Sequence, residues 1–354
     1  MYIKCTAEGA LFVVARSDSA IDDFGDFAPS DRLRRLLVPS IDSAEEADAP
    51  LVLFQITFFS CGGVCLGAAV HQSAADGLAA LHFINSWAII TRGEGVLTAP
   101  ILDRTLLRAR SPLVVTSEHI EYSQSLAGSP ARPTFTTSII KLSKKQLSLL
   151  KTPSQGEKPL STFKAIAAHI WRCACKARGL DLSRPTRFYF TADARTRLHP
   201  SLPANFLGNA IFLASAISSV GEVVSGPIEL AAGKIDAATA RLDDGYVRSL
   251  VDYLDQRVGE VGLRRGSWVM AETDMWLISW QGLPIHEADF GWGKPVYMGR
   301  ASLHFAGQVY VMPRSPVEEG DGGLLLAVAM EPENMQRFKE VFDEELRRIA
   351  SAHL

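Results

Sequence analysis

Val64-Cys-Leu-Gly-Ala-Ala-Val-His-Gln-Ser-Ala-Ala-Asp-Gly77 is the stretch on which the reading of the fold turns. Its first seven residues form a short β-type apolar run. A turn follows from His71, and Asp76 is placed to accept backbone N–H groups as the N-cap of a helix. Beyond it Leu78, Leu81, Phe83, Ile84 and Trp87 make one apolar face, and Gly93 is a natural stop. A strand therefore delivers the turn and a helix leaves it. Upstream, Leu51-Val-Leu-Phe-Gln-Ile-Thr-Phe-Phe59 is a second β-type run, and the glycine pair in Cys61-Gly62-Gly63 predicts a hairpin between the two.

Further out, Gly9-Ala-Leu-Phe-Val-Val-Ala15 is a continuous β-type run, expected to be buried on both faces. Ser17 to Ser40 is loop-rich and acidic. A second helix is predicted from Ser161 as N-cap to Gly179, with Phe163, Ile166, Ala167, Ile170, Trp171 and Ala174 at helical spacing. Glu118 to Pro133 is turn-rich, and Lys151 to Pro159 reads as a linker. Later β-type runs fall at Arg187–Ala192, Ala210–Leu213, Met275–Trp280, Leu303–Met312 and Gly323–Met330. A closing helix carries Met335, Phe338, Phe342, Leu346 and Ile349 on one side. Mixed strands and helices over 354 residues predict an α/β chain in two domains, 1–150 and 151–354.

Composition narrows the function. A hydrophobic fraction of 47% and a charged fraction of 21% are globular values. The net charge of −3 gives no hint of the basic face that nucleic acid needs. No window approaches the roughly 18 apolar residues of a membrane helix, and Met1-Tyr-Ile-Lys-Cys-Thr-Ala-Glu8 is not a secretory signal. Five cysteines, an odd number, fit reduced thiols in the cytoplasm. Cys61-x3-Cys65 and Cys173-x-Cys175 lack partners at zinc spacing, so no metal site is expected.

Two short segments can carry chemistry. Around His71 the positive potential of a helix start favours a neutral imidazole, the form a general base needs. In Asp289-Phe-Gly-Trp-Gly293, two glycines bracket a tryptophan, which predicts a tight turn around one large buried ring. Asp289 there is a candidate partner for an arginine. Taken alone, each segment reads most simply as a structural turn.

Together the two resemble a pair of signatures. Asp289-Phe290-Gly291-Trp292-Gly293 resembles the pentapeptide of the plant BAHD acyltransferases, and Asp76-Gly77 stands where that family has the end of His-x-x-x-Asp-Gly. Co-linear matches extend over nearly the whole chain and resemble the hydroxycinnamoyl transferase branch most. They include Phe54-Gln-Ile-Thr-Phe-Phe-Ser-Cys-Gly-Gly63, Leu81-His-Phe-Ile-Asn-Ser-Trp87, Asp103-Arg-Thr-Leu-Leu-Arg108, Asn205-Phe-Leu-Gly-Asn209 and Ser279-Trp-Gln-Gly-Leu-Pro284. The resemblance implies a two-domain, chloramphenicol-acetyltransferase-like α/β fold, with mixed sheets flanked by helices and a channel between the domains. It implies transfer of a hydroxycinnamoyl group from a coenzyme A thioester to an alcohol or amine, with acyl-CoA as co-substrate and no permanently bound cofactor. It also implies a cytoplasmic monomer without nucleic-acid or membrane partners. By the same resemblance a histidine is the general base, and Asp76 pairs with an arginine, for which Arg195 and Arg197 are the candidates. Trp280 lines the pocket near the developing oxyanion. Asp289, placed with His71 among the catalytic residues, is more naturally a scaffold.

Three departures from the family pattern shape what is expected. Four residues, not three, separate His71 from Asp76, so alignment on Asp76-Gly77 puts Gln72 at the catalytic position. Glutamine can hold a substrate by hydrogen bonds but has no usable basicity. A one-residue slip in an extended segment normally turns a side chain to the other face, so His71 substitutes only if the turn shifts. An impaired paralogue that binds acyl-CoA without efficient turnover is the alternative reading. Secondly, the chain reads as shortened at its start relative to the family. Thirdly, Ile278 stands where shikimate-using relatives tend to have threonine, and Arg265 is the candidate counterpart of their carboxylate-gripping arginine. His286 and His304 are further candidates for the acceptor side, whereas His82 and His169 read as packed helix residues.

Overall fold

The computed structural model describes residues 3, 6–40, 50–95, 98–122, 134–152, 159–257, 270–317 and 322–352. The first three strands form a small sheet of order β1-β2-β3: β1 (Leu11–Ser17), β2 (Val52–Phe59) and β3 (Val64–Val70). β2 and β3 pair antiparallel with Val52 opposite Val70, around the Gly62-Gly63 turn. β1 runs parallel to β2. Helix α1 (Asp31–Leu37) packs its C-terminal end on β3, where Gly67 leaves room for it; a Cβ there would lie 1.6 Å from the Leu37 carbonyl oxygen. α2 (Gly77–Thr91) covers the same sheet through Phe12, Phe54 and Trp87, whose rings meet at 5.2–5.9 Å.

The expectation that the Gly9–Ala15 run is buried on both faces fails. β1 is the outer strand, hydrogen-bonded to β2 alone among the described strands, and Phe12 and Val14 are 48% and 64% exposed. A continuous apolar run means double burial only for a strand with layers above and below it. In the same way Phe83, expected on the packed face of α2, stacks on Phe54 but is 49% exposed.

The second sheet has six strands in the order β4-β9-β8-β7-β5-β6. These are β4 (Thr136–Leu142), β5 (Pro185–Asp193), β6 (Ile211–Ser219), β7 (Met275–Ser279), β8 (Gln308–Pro313) and β9 (Leu324–Met330). β5/β7 and β7/β8 are parallel and the other pairs antiparallel, so the sheet is mixed. β4, which precedes residue 150, belongs to this larger layer. The strands at Ala210–Leu213 and Leu303–Met312 in the sequence reading extend to Ser219 and begin at Gln308, respectively.

Side-chain alternation divides the sheet into two faces. Val309, Val311, Leu324, Leu326 and Val328 point into the main core, which α4 (Thr162–Ala177), α6 (Ile228–Ala240) and α8 (Pro332–Ala352) cover. Twelve of the sixteen residues of α4 are buried, so this helix is internal rather than a one-sided surface helix. Its Trp171 indole donates to Thr186 Oγ1 at 2.9 Å, and Arg172 donates to the Val223 and Gly226 carbonyls beside α5 (Val220–Ser225). α3 (Lys144–Lys151) begins with a reciprocal Ser143–Gln146 cap, and α7 (Asp244–Gln256) begins at Asp243. Residues 153–158 of the expected linker lie outside the described residues.

The opposite face points Tyr310, Met312, Leu325, Ala327 and Ala329 toward the N-terminal half, where they meet Leu81 of α2 with Ile285 and Leu303. Two parallel neighbours, β7 and β8, need a long crossover. Here residues 280–307 supply it without a regular helix, and they cross over α2 on the way. Asn85 donates to the Pro284 carbonyl, Trp87 meets Phe290 edge-on at 5.2 Å, and Tyr297 stacks on Phe27 at 4.7 Å. The crossover is thus one tie between the two halves.

Candidate active site

The turn between β3 and α2 is fixed from below by Asp76. This residue is buried, and its carboxylate caps α2 by accepting from Ala79 N at 3.0 Å. The same carboxylate accepts two bonds from Arg195, at 2.8 and 3.1 Å, and one from Ala210 N at 2.9 Å, while its own N–H donates to the Gly208 carbonyl. Burial works against the charge on Arg195, but the bonds to Asp76 outweigh it and raise its pKa above the ordinary value. Arg195 also reaches Asp193 at 3.2 Å and lies over the Phe206 ring. Arg197, the other candidate partner, points elsewhere and donates to the Leu242 carbonyl; its burial lowers its pKa. One buried pair therefore joins the start of α2 to the entry of β6.

From the outside Arg104 holds the turn. Its guanidinium forks over two consecutive carbonyls, Ser73 O and Ala74 O, at 2.6 Å each. Arg104 is itself seated by Asp103, which caps the short 3-10 turn Arg104–Leu107 through Thr105 N and Oγ1. The Ile101–Phe206 bridge then links that segment to the stretch of chain that leads into β6. Arg104 and Ala210 also line a cavity of about 530 Å³ with Leu107, Phe212, Leu250 and Leu254, so space on the scale of a small-molecule pocket adjoins the turn. The motif Asp103-Arg-Thr-Leu-Leu-Arg108 was visible in the sequence, but nothing in its spacing assigned Arg104 to the turn.

His71 and Gln72 are both exposed at the top of this turn. His71 N still donates to Leu51 O at 2.8 Å as a last strand-like bond, and its carbonyl accepts from Ala74 N and Ala75 N. The imidazole then folds forward over the turn. Its Nδ1 accepts from Ser73 N at 3.2 Å and lies 2.6 Å from Ser73 Oγ. Strand alternation does not continue past His71, because residues 72–74 form the turn, and neither side chain is sealed inside.

Trp280 and Ile278 lie half-buried at the end of β7, where the indole meets Tyr310 at 5.3 Å and joins the cluster containing Leu81. The turn after Trp280 brings Leu283 Cδ1 to within 4.0 Å of where a Cβ on Gly77 would stand, so the crossover begins beside the start of α2. The Arg300 guanidinium lies over the Tyr310 ring, 5.3 Å from its centroid, and is 3.3 Å from His304. His286 is buried and its pKa is lowered by that burial. Arg265 lies outside the described residues.

Asp289-Phe-Gly-Trp-Gly293 sits at the opposite end of α2. Asp289 Oδ1 accepts from Gly291 N and Gly293 N at 2.8 and 2.9 Å, and these amides hold its carboxyl below the usual carboxylate range. Gly291 and Gly293 have φ of 103° and 100°, the left-handed region that glycine enters without strain. Arg92, expected in kind as a partner, bonds the Asp289 carbonyl oxygen while its other nitrogens pair with Glu94. Two expectations are corrected. Trp292 is 73% exposed rather than buried, because Phe290 takes the inward position against Trp87. Asp289 is not part of the His71 site, since Arg92 follows a 15-residue helix whose length is roughly 22 Å.

Comparison with known proteins agrees with this architecture. A model described as the Transferase family matches residues 1–345. Putrescine hydroxycinnamoyltransferase 1 of Oryza sativa subsp. japonica is 57% identical over 98% of this chain and 80% of its own length. Shikimate O-hydroxycinnamoyltransferase of Nicotiana tabacum is 40% identical over 96% and 80%. The crystal structure of F. sporotrichioides TRI101 complexed with coenzyme A and T-2 superposes with a TM-score of 0.75 at 23% identity, covering 96% of this chain and 80% of that one, which is a likeness of fold.

Proposed function

Since this chain belongs to the Transferase family, the BAHD acyl-CoA-dependent acyltransferases, we propose that it moves a hydroxycinnamoyl group from a coenzyme A thioester to an aliphatic amine, with alcohols as the second acceptor class. The higher identity to a putrescine transferase than to a shikimate transferase supports the amine. Ile278 supports it as well, because an aliphatic side chain at the end of β7 offers no hydroxyl to a polyhydroxylated acid. The observation that carries the reading is the clamped turn: Asp76–Arg195 beneath, Arg104 above, and an exposed imidazole between them.

In this reading His71 takes the acceptor's proton as the nitrogen attacks the thioester carbonyl. The thiolate of coenzyme A leaves when the tetrahedral intermediate collapses. Gln72 holds the acceptor by its amide, and Trp280 closes the acyl side. Asp289 shapes its loop and takes no proton. Incubating the purified chain with p-coumaroyl-CoA and a panel of amines and alcohols tests the proposal. The expected result is acceptor-dependent release of free thiol, fastest with an aliphatic diamine, and an amide of matching mass. No acceptor-dependent release with any member of the panel would overturn it. Because Gln72 offers no basicity, a Gln72→His variant far faster than the unmodified chain would favour an impaired paralogue.

A further inference from the structure

We propose that Ser73 is a proton relay between the acceptor and His71; this rests on the reading of His71 as the base. Two donors converge on the imidazole. Ser73 N–H points at Nδ1 over 3.2 Å, and Ser73 Oγ stands 2.6 Å from the same nitrogen. A backbone N–H can only donate, so Nδ1 carries the lone pair and the neutral ring holds its hydrogen on Nε2. Nε2–H has no lone pair to offer an acceptor. The only basic position of the ring is therefore the one that Ser73 covers.

A hydroxyl donates one hydrogen and keeps two lone pairs. With its hydrogen on Nδ1, Ser73 Oγ turns its lone pairs outward, and Ser73 is partly exposed. The contact is held by more than a rotamer. Arg104 grips the carbonyls of Ser73 and Ala74, and the His71 carbonyl accepts from Ala74 N at 2.8 Å and Ala75 N at 3.3 Å. Asp76, three residues on, is fixed by Arg195. Both partners of the 2.6 Å contact therefore ride on one clamped turn, which is the pre-organisation that a proton transfer in a transition state exploits.

The step balances as follows. The acceptor nitrogen forms a bond to the thioester carbonyl carbon, and its N–H hydrogen passes to Ser73 Oγ while the hydroxyl hydrogen passes to Nδ1. When the intermediate collapses the C–S bond breaks, and the sulfur takes a hydrogen back from the imidazolium through Oγ. Amine and thioester become amide and thiol, and both side chains return to their starting state.

The test uses the full chain with p-coumaroyl-CoA and an aliphatic diamine, comparing Ser73→Ala, Ser73→Thr and His71→Ala by kcat, KM and rates in mixtures of light and heavy water. Removing the relay is expected to lower kcat by roughly 10²-fold, within the range of general-base effects, with KM little changed. Ser73→Thr, which keeps the hydroxyl, recovers most of the rate. The unmodified chain shows a curved dependence on deuterium fraction, from two hydrogens in flight, and Ser73→Ala a linear one. A contact that only shapes the turn would not change the number of hydrogens in flight. Ser73→Ala at full rate with His71→Ala inactive overturns the relay and leaves His71 as the base. His71→Ala at full rate overturns both readings. An acyl group trapped on Ser73 makes it a nucleophile and also overturns the relay. Melting curves check folding; were Ser73→Ala unfolded, a linear deuterium dependence of the unmodified chain would overturn the proposal by itself.

Discussion

Replacing Asp76 by asparagine isolates the charge beneath the turn. Asparagine is as good an N-cap as aspartate, so the bond to Ala79 N survives the change. The carboxylate, however, accepts four bonds from Ala79, Ala210 and Arg195. An amide has one acceptor oxygen and must turn its NH2 toward other donors. Arg195 is left as a buried cation, and removing one partner of such a pair costs about 3–5 kcal/mol. Asp193, 3.2 Å from Arg195 with a side chain 42% exposed, offers partial compensation, so we expect the lower end, about 3 kcal/mol. Against a usual stability of about 5–15 kcal/mol that is a large fraction. In urea the midpoint should fall by roughly 1 M. Arg195→Met should cost a similar amount by stranding the carboxylate. The double variant should recover about 2 kcal/mol of the summed losses, because no unpaired charge remains. Equilibrium unfolding of the four chains gives the coupling directly. Single losses that simply add, to within about 0.5 kcal/mol, would refute the claim that the two residues act as one buried unit.

Three further outcomes follow from named contacts. His169 is fully buried in α4 against Phe342, and burial lowers its pKa to about 4. The unfolded chain then binds the extra proton between about pH 6.5 and 4, so stability falls as pH drops through that window, by up to about 3 kcal/mol; unfolding of His169→Met across the same range should lack that part of the slope. Asp289→Asn keeps an acceptor for Gly291 N and Gly293 N, and steady-state kinetics should find kcat of the same order, against a loss of roughly 10²–10⁴ if Asp289 carried a proton. Arg104→Ala frees the Ser73 and Ala74 carbonyls, and kcat should fall by roughly 10–10² with a nearly unchanged melting temperature, since a displacement near 1 Å at reacting groups is felt on that scale.

Local signals carried much of the fold. The glycine pair gave the β2–β3 hairpin, Asp76 and Gly93 bounded α2, and Ser161 and Gly179 bounded α4 because caps answer to single residues. Layering was less legible. The β1 run is apolar throughout yet lies at an edge, and periodicity does not record how many layers a strand has beside it. Asp76 could be read as a cap, but choosing Arg195 over Arg197 required the path of the chain after β5. Arg104 was out of reach for the same reason: it lies 31 residues from the carbonyl that it grips. Trp292 misled because a large ring between glycines suggests burial, whereas the neighbouring Phe290 fills that role.

The two family-like segments end up at opposite ends of α2, and that separation explains how one helix serves both. At its start Asp76 is held rigidly by Arg195 and Ala210, which on the proposed reading lets the neighbouring turn present its reactive groups to within fractions of an ångström. At its end the Asp289 loop need only anchor a crossover that parallel pairing of β7 and β8 makes unavoidable. Arg92 meets that loop through a backbone carbonyl, and Asp289 spends its carboxylate on its own glycine amides. The loop therefore fixes where the crossover passes, with the Asp289 carboxylate bonded to the amides of its own loop. Because the same crossover begins at Trp280 and passes Leu283 beside Gly77, anchoring its far portion limits how the near portion can move against the turn. Mutations in the loop should accordingly reach the turn through Trp280 and Leu283, changing how tightly substrate is held rather than which group takes the proton.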